Sequence, residues 1–171
     1  MDPPVLHPAV LNDVQLLAEC EVRRDRRRGP GGQHRNKVET AIIITHKPTG
    51  MRGTAAERRN QEQNRQAAVF RLRVNLALHV RTVRPAENLP SELWRRRCSG
   101  RRIQINPKHA DFPALLAEAL DVLAAHDMDV RKAAEILCIT PSQLVRFLKL
   151  EARALEQVNR CRRERGLRAY R

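Results

Sequence analysis

Along the first 80 residues the apolar positions change period several times. Leu11 to Ala18 reads as a short helix. Cys20 to Arg27 alternates weakly, with Cys20 and Val22 on one face and Glu21 and Arg23 on the other, and predicts a strand. Thr40 to His46 (TAIIITH) is a β-branched run short enough to be a buried strand. Lys47-Pro48-Thr49-Gly50 follows, with proline second and glycine fourth, as a type I turn favours. Met51 to Thr54 then returns as the partner strand of a hairpin. Beyond it the spacing turns helical: Val69, Leu72, Leu76 and Val80 share one face, predicting a long helix, Ala55 to Val80, that lies on the sheet. Thr54-Ala55-Ala56-Glu57 has the form of a capping box and is the expected start. The opening turns, ERRNQEQNRQ, are polar all round and are expected to project from the core, as a solvated end or an RNA contact.

Pro85, Pro90, Pro107 and Pro113 punctuate the next stretch, read as a linker. Within it Arg101 to Asn106 (RRIQIN) alternates and predicts a short edge strand, and Trp94 is expected in the core. From Pro113 the pattern is helical. Leu115, Leu116, Ala119, Leu120 and Leu123 form one apolar face. A second helix, Val130 to Cys138, has Asp129 as its cap; Thr140-Pro141-Ser142-Gln143 opens a third, to about Leu150. A fourth, Ala152 to Arg165, ends at Gly166. Val130 to Lys149 resembles a helix-turn-helix, with Ala134, Cys138 and Leu144 at its alanine, turn and core positions, although glycine is usual where Cys138 stands. Ser142, Gln143 and Arg146 would then face nucleic acid; a plain helical bundle is the alternative. The expected fold class is α+β: a small sheet packed on one long helix (residues 1–84), a linker (85–112), and a helical bundle with a basic tail (113–171).

Charge adds a partner to this picture. The chain has 171 residues, with 33 Lys+Arg against 19 Asp+Glu and a net charge of +14. The lysines are 37, 47, 108, 132 and 149; every other cation is arginine, whose planar fork suits phosphate. Such a basic chain points to nucleic acid, with a merely solvated arginine-rich surface as the alternative. One Trp, one Tyr and three Phe are too few for a base-stacking platform, so recognition should be electrostatic and shape-based. Cys20, Cys98, Cys138 and Cys161 lie far apart without a CxxC pair, and the six histidines lack ligand spacing; no metal and no cofactor are expected. MDPPVLHPAV has no secretory pattern and no apolar run approaches a membrane span, so a cytoplasmic protein is expected.

The candidate chemistry lies between the first two predicted strands, in RRRGPGGQHRNK, residues 26–37. Glycine permits backbone torsions closed to other residues and lets a backbone approach a ligand. Gly29-Pro30-Gly31-Gly32 nevertheless fits no phosphate loop, because neither a lysine-serine pair nor GxGxxG is present. Gln33 does not titrate near neutral pH, so it is neither general base nor nucleophile. Its side chain can orient water, and its backbone N–H can donate to a developing oxyanion. Such a loop positions one group and needs a partner to complete the site.

The stretch GPGGQHRNKVETAIIITHKPTG resembles the catalytic domain of bacterial class I peptide chain release factors and their ribosome-rescue relatives. Gly31-Gly32-Gln33 matches the family tripeptide, and His34, Asn36 and Lys37 match the segment after it. Thr45-His46-Lys47-Pro48-Thr49-Gly50 matches the hairpin turn, and Glu57 to Asn64 resembles the start of the long helix. The likeness covers roughly residues 10 to 80. It implies a codon-independent peptidyl-tRNA hydrolase of the short rescue type, with an added helical domain.

By that resemblance the loop enters the ribosomal peptidyl transferase centre, where rRNA and peptidyl-tRNA complete the site. The Gln33 N–H would stabilise the tetrahedral intermediate or leaving group, its side chain would help place water, and N5-methylation by a glutamine methyltransferase is implied. Arg26, Arg27, Arg28, His34, Arg35, Asn36 and Lys37 would grip rRNA. Arg35 stands where the family is often apolar and is expected to be exposed. Only 30 residues precede Gly31, so no codon-reading region is expected. Arg160, Arg162, Arg163, Arg165, Arg168 and Arg171 would serve as the basic tail that occupies an empty mRNA channel. A monomer acting on the ribosome is expected; a non-hydrolytic RNA- or DNA-binding regulator is the alternative.

Overall fold

The computed structural model describes residues 6–25 and 41–171. The chain is α+β and forms two compact units, residues 8–80 and residues 81–171 together with residues 6–7.

In the first unit, α1 (Asp13–Ala18) leads into β1 (Cys20–Asp25), β2 (Ala41–His46) and β3 (Arg52–Ala55), followed by α2 (Gln61–His79). The sheet order is β1-β2-β3, antiparallel throughout. Asn12 starts α1 with a reciprocal capping box to Gln15, one residue later than the apolar pattern alone places it. β2 alternates as a half-buried strand should, with Ile42, Ile44 and His46 buried. Each buried isoleucine contributes about 1.5–3 kcal/mol. α2 packs on β2 and β3 through Ala68, Val69, Leu72 and Leu76. β1 is left largely uncovered, so Val22 is 44% exposed despite its apolar alternation.

The expected capping box at Thr54–Glu57 does not form. Thr54 and Ala55 are taken by β3, where they pair with Ile43 and Ile42. Asn60 caps α2 instead, accepting from the backbone N–H groups of Glu62 and Gln63. Glu57 turns outward to Arg71, at 2.5 Å, and that ion pair holds its carboxyl down at about 2. The polar start of α2 is also partly structural. Asn64 is fully buried and pairs with both backbone groups of Arg58, each at 2.9 Å.

β3 is an edge strand, and α2 satisfies its outward carbonyls. Arg71 donates to Thr54 O at 2.6 Å and Asn75 to Arg52 O at 2.7 Å. The spacings match: four helix residues rise about 6 Å and two strand residues about 6.8 Å.

The second unit is built around α4 (Phe112–Ala125), nearly every position of which is buried between Phe112 and Leu123. Residues 85–112, read from the sequence as a linker, fall within this unit. They carry α3 (Glu92–Arg96), β4 (Cys98–Ser99) and β5 (Arg102–Ile103), tied to α4 through its buried Glu118, while the second buried acid, Asp121, holds the segment just before them. Glu118 accepts from the N–H and hydroxyl of Ser91, which in turn caps α3 by accepting from Trp94 N–H. Asp121 accepts from Thr82 and from Arg84 Nε at 3.0 Å. The proline pattern signalled turns but not these side-chain anchors. The expected strand at Arg101 to Asn106 shrinks to the two residues of β5, because Gly100 and Arg101, both at positive φ, form the tight turn of a β4–β5 hairpin.

Trp94 is fully buried as expected, edge-on to Phe147, and its Nε1–H donates to Leu137 O at 2.8 Å. α5 (Val130–Ile136), α6 (Pro141–Leu148) and α7 (Ala152–Glu164) complete the unit, with Asp129 and Thr140 capping α5 and α6. α5 stops two residues early because Ile139 N–H bonds back to Ala134 O while Cys138 adopts φ +54°. This is the left-handed helix termination that glycine usually supplies. Gly166 supplies it at the end of α7, where Leu167 N–H bonds to Arg162 O. No helix among the described residues is long and apolar enough to cross a membrane.

Candidate functional site

The candidate catalytic residues Gly31, Gly32 and Gln33 lie outside the described residues, as do Arg26, Arg27, Arg28, His34, Arg35, Asn36 and Lys37. The structure defines what carries them. Asp25 and Ala41 are register partners, so residues 26–40 leave and re-enter the sheet at adjacent strand ends. β2, which receives the chain, is the central strand and is pinned to α2 by Ile42 and Ile44. A group that must be placed to within a fraction of an ångström is best carried by such a rigid base.

The far end of the same hairpin is fastened by His46. Its buried ring bonds Glu19 through Nε2 at 2.8 Å and Thr49 Oγ1 through Nδ1 at 2.7 Å. Lys47 N–H donates to Glu19 O, and His46 N–H to Met51 O, each at 2.9 Å. The turn is one residue wider than the expected type I geometry: Gly50 N–H closes onto His46 O at 2.8 Å, with Gly50 at φ +69°. Thr45 to Gly50 thus forms a scaffold joining α1, β1 and β2.

Gly53 was not singled out by the sequence reading. It faces Ile44 across the hairpin. A Cβ built there would stand 2.1 Å from Ala68 O and 2.5 Å from Leu72 N. β3 therefore touches the α2 backbone at this point, and only glycine fits. The available signal was an isolated glycine within a strand pattern.

In the second unit, Ser142 and Arg146 are exposed on α6 and Gln143 is half-buried. Of the arginines in 160–171, Arg160, Arg163, Arg165, Arg168 and Arg171 are exposed. Arg162 is used internally, donating to Met128 O at 2.9 Å and Arg168 O at 2.8 Å and stacking 4.0 Å above the Tyr170 ring. Residues 167–171 accordingly fold back along α7 and do not trail from it. Burial, with Cys138 and Glu118 nearby, pushes the Cys98 thiol up to about 11, which keeps it protonated and poorly nucleophilic.

The RF-1 domain family model matches residues 15–108, from α1 through β5. The match runs beyond the span of roughly 10 to 80 expected from the motifs. Peptide chain release factor 1 of Frankia casuarinae is 33% identical over 126 residues, covering 63% of this chain and 35% of that protein. Peptide chain release factor 2 of Paramagnetospirillum magneticum is 40% identical over 74 residues, covering 43% of this chain and 19% of that protein. A putative mitochondrial peptide chain release factor 1 of Schizosaccharomyces pombe is 39% identical over 77 residues, covering 43% and 19%. The chain thus spans about a third or less of the relatives it matches. No solved structure gives a significant match. With the RF-1 domain accounting for more than half of its length, the chain belongs to the class I peptide chain release factor family.

Proposed function

We propose that this protein hydrolyses the ester of peptidyl-tRNA on the ribosome and does so without reading a codon, releasing peptides from stalled complexes. The observation that carries the reading is a Gly-Gly-Gln tripeptide in the segment spanning the paired ends of β1 and β2, inside an RF-1 domain. Gln33 places its backbone N–H against the oxyanion that forms as water attacks the ester carbonyl. Its side-chain amide orients that water and carries no charge of its own. Gly31 and Gly32 allow the main chain to approach the tRNA terminus. Catalysis of this kind is proximity plus oxyanion stabilisation, and one donor of this kind is worth about 10²–10³ in rate. Arg26, Arg27, Arg28, His34, Arg35, Asn36 and Lys37 surround the tripeptide with phosphate ligands. A methyl group on Gln33, added by a glutamine methyltransferase, would sharpen the placement of its amide.

The codon-independent mode is supported by residues 109–171, which lie outside the RF-1 span and form helices rich in exposed arginine. The test is peptide release from purified ribosomal complexes with the mRNA channel empty or filled. Release is expected from empty-channel complexes, and Gln33→Ala, which removes the side-chain amide and keeps the backbone N–H, should depress it while ribosome binding persists. Release confined to complexes displaying a stop codon would refute the rescue mode, and undiminished release by Gln33→Ala would refute the catalytic assignment.

A further inference from the structure

Helix α6 stands between two clefts. One, of ≈ 490 Å³, is lined by Arg131 of α5, by Ser142, Arg146 and Lys149, and by Tyr170 and Arg171. The other, of ≈ 500 Å³, follows the opposite flank and is lined by Arg102, Gln104, Gln143 and again Arg146. Arg146 is therefore a ridge between two grooves. No Asp or Glu side chain lines either groove. Among the described residues, Arg102, Arg131, Arg146, Lys149 and Arg171 enter no salt bridge, whereas Arg71, Arg73, Arg84, Arg97 and Arg153 are each matched to an acid. These five cations all line the two grooves that flank α6.

The wall of the first groove is built. Asn159 takes both backbone groups of Tyr170, donating from Nδ2 to Tyr170 O at 2.9 Å and accepting Tyr170 N–H at 2.7 Å. Arg162 covers the ring of Tyr170 and ties Arg168 O and Met128 O together. These bonds hold Tyr170 on α7, where it and Arg171 line the groove together with residues of α5 and α6.

We infer that these grooves bind the phosphodiester backbone of structured RNA, with Arg131, Arg146, Lys149 and Arg171 contacting phosphates and Asn159 and Arg162 acting as positioning residues. The inference rests on the ribosome reading only in selecting RNA over DNA. The chemistry is that of backbone recognition. One face of Tyr170 is taken by Arg162, and the lining offers no other ring in the first groove for a base to stack on. The major groove of A-form RNA is too narrow and deep to admit a helix, so the α6 ridge lies across phosphate strands and does not read base edges. Binding is then shape-selective and strongly salt-dependent.

The test is fluorescence anisotropy of the full chain with a labelled RNA hairpin and a DNA duplex of the same sequence, titrated with salt. The RNA should bind more tightly. Removing Arg146 and Lys149 together (R146A/K149A) should weaken it by at least about tenfold and flatten the salt slope by about 0.7–0.9 for each lost contact. Arg162→Lys separates positioning from contact. It keeps the charge, so a phosphate ligand would retain its slope; a positioning residue lets Arg171 go and loses about one contact. Arg171→Ala should then add nothing on top of Arg162→Lys. Wild-type affinity and slope for R146A/K149A, or DNA bound as tightly as RNA, would overturn the inference. Gln33→Ala should bind the hairpin normally, so a failed release assay and a failed binding assay point to different claims.

Discussion

Gly53→Ala should be among the most damaging single-methyl changes in the first unit. The new Cβ would sit 2.1 Å from Ala68 O, 2.5 Å from Leu72 N and 2.8 Å from Leu72 Cβ, against a practical limit near 3.0 Å. Helix and strand must separate by about 0.9 Å at Ala68 O alone. Two of the three obstacles are backbone atoms, so no rotamer change relieves them. Separation would strip packing from Ile44, Leu72 and Ala68 and stretch the Arg71–Thr54 and Asn75–Arg52 bonds. Overpacking costs about 1–3 kcal/mol, and this case belongs at or above the upper end. For a unit of this size that lowers the melting midpoint by more than about 10 °C. Gly50→Ala is the internal control: its Cβ meets nothing within 4 Å, and only the left-handed backbone is penalised, by about 1 kcal/mol. Calorimetry of both variants, with hydrogen exchange of α2 and β3 amides, reads the difference. If Gly53→Ala melts within 2 °C (about 0.5 kcal/mol) of the parent, the close approach of β3 to α2 is wrong.

Trp94→Phe should cost about 1–3 kcal/mol in chemical denaturation, because Leu137 O is left without its buried donor. Asp121→Ala should cost about 3–5 kcal/mol by the same measurement, since its side chain is 1% exposed and Arg84 would lose its counter-charge. Cys138→Gly should raise stability by up to about 1 kcal/mol, by relieving a left-handed residue at the α5–α6 turn; a loss would show that the thiol packs usefully. The Glu57 carboxyl should titrate by carbon NMR with a midpoint of about 2, against an ordinary value of 4.5. Its folded value is depressed, so its contribution is full above the unfolded value and fades as pH falls through the folded one. A midpoint near 4.5 would mean that the Arg71 pair is not kept in solution.

The elements were legible wherever local chemistry decided them. The β-branched run of β2, the 3.6-residue spacing of α2 and α4, and the caps at Asp129 and Thr140 are properties of neighbours in sequence. The family motif was legible for the same reason, since Gly31-Gly32-Gln33 and Thr45 to Gly50 are contiguous strings. What sequence spacing did not contain was competition between distant partners. Thr54–Glu57 satisfies the capping-box pattern, yet pairing of Thr54 and Ala55 with β2 takes the same backbone for a strand. Residues 85–112 have the prolines of a linker, yet Glu118, an acid on an apolar helix, is buried against Ser91 of that stretch, and Asp121 on the same helix against Thr82 and Arg84 just before it. The arginine-rich end has the composition of a free tail, yet Asn159 and Arg162 fold it back onto α7. The sequence by itself determined the kinds of most elements, the family motif and the sign of the net charge. The tertiary structure alone decided which glycine had to stay bare and which arginines remained uncompensated, because close approach and ion pairing depend on distances between residues that sequence places far apart.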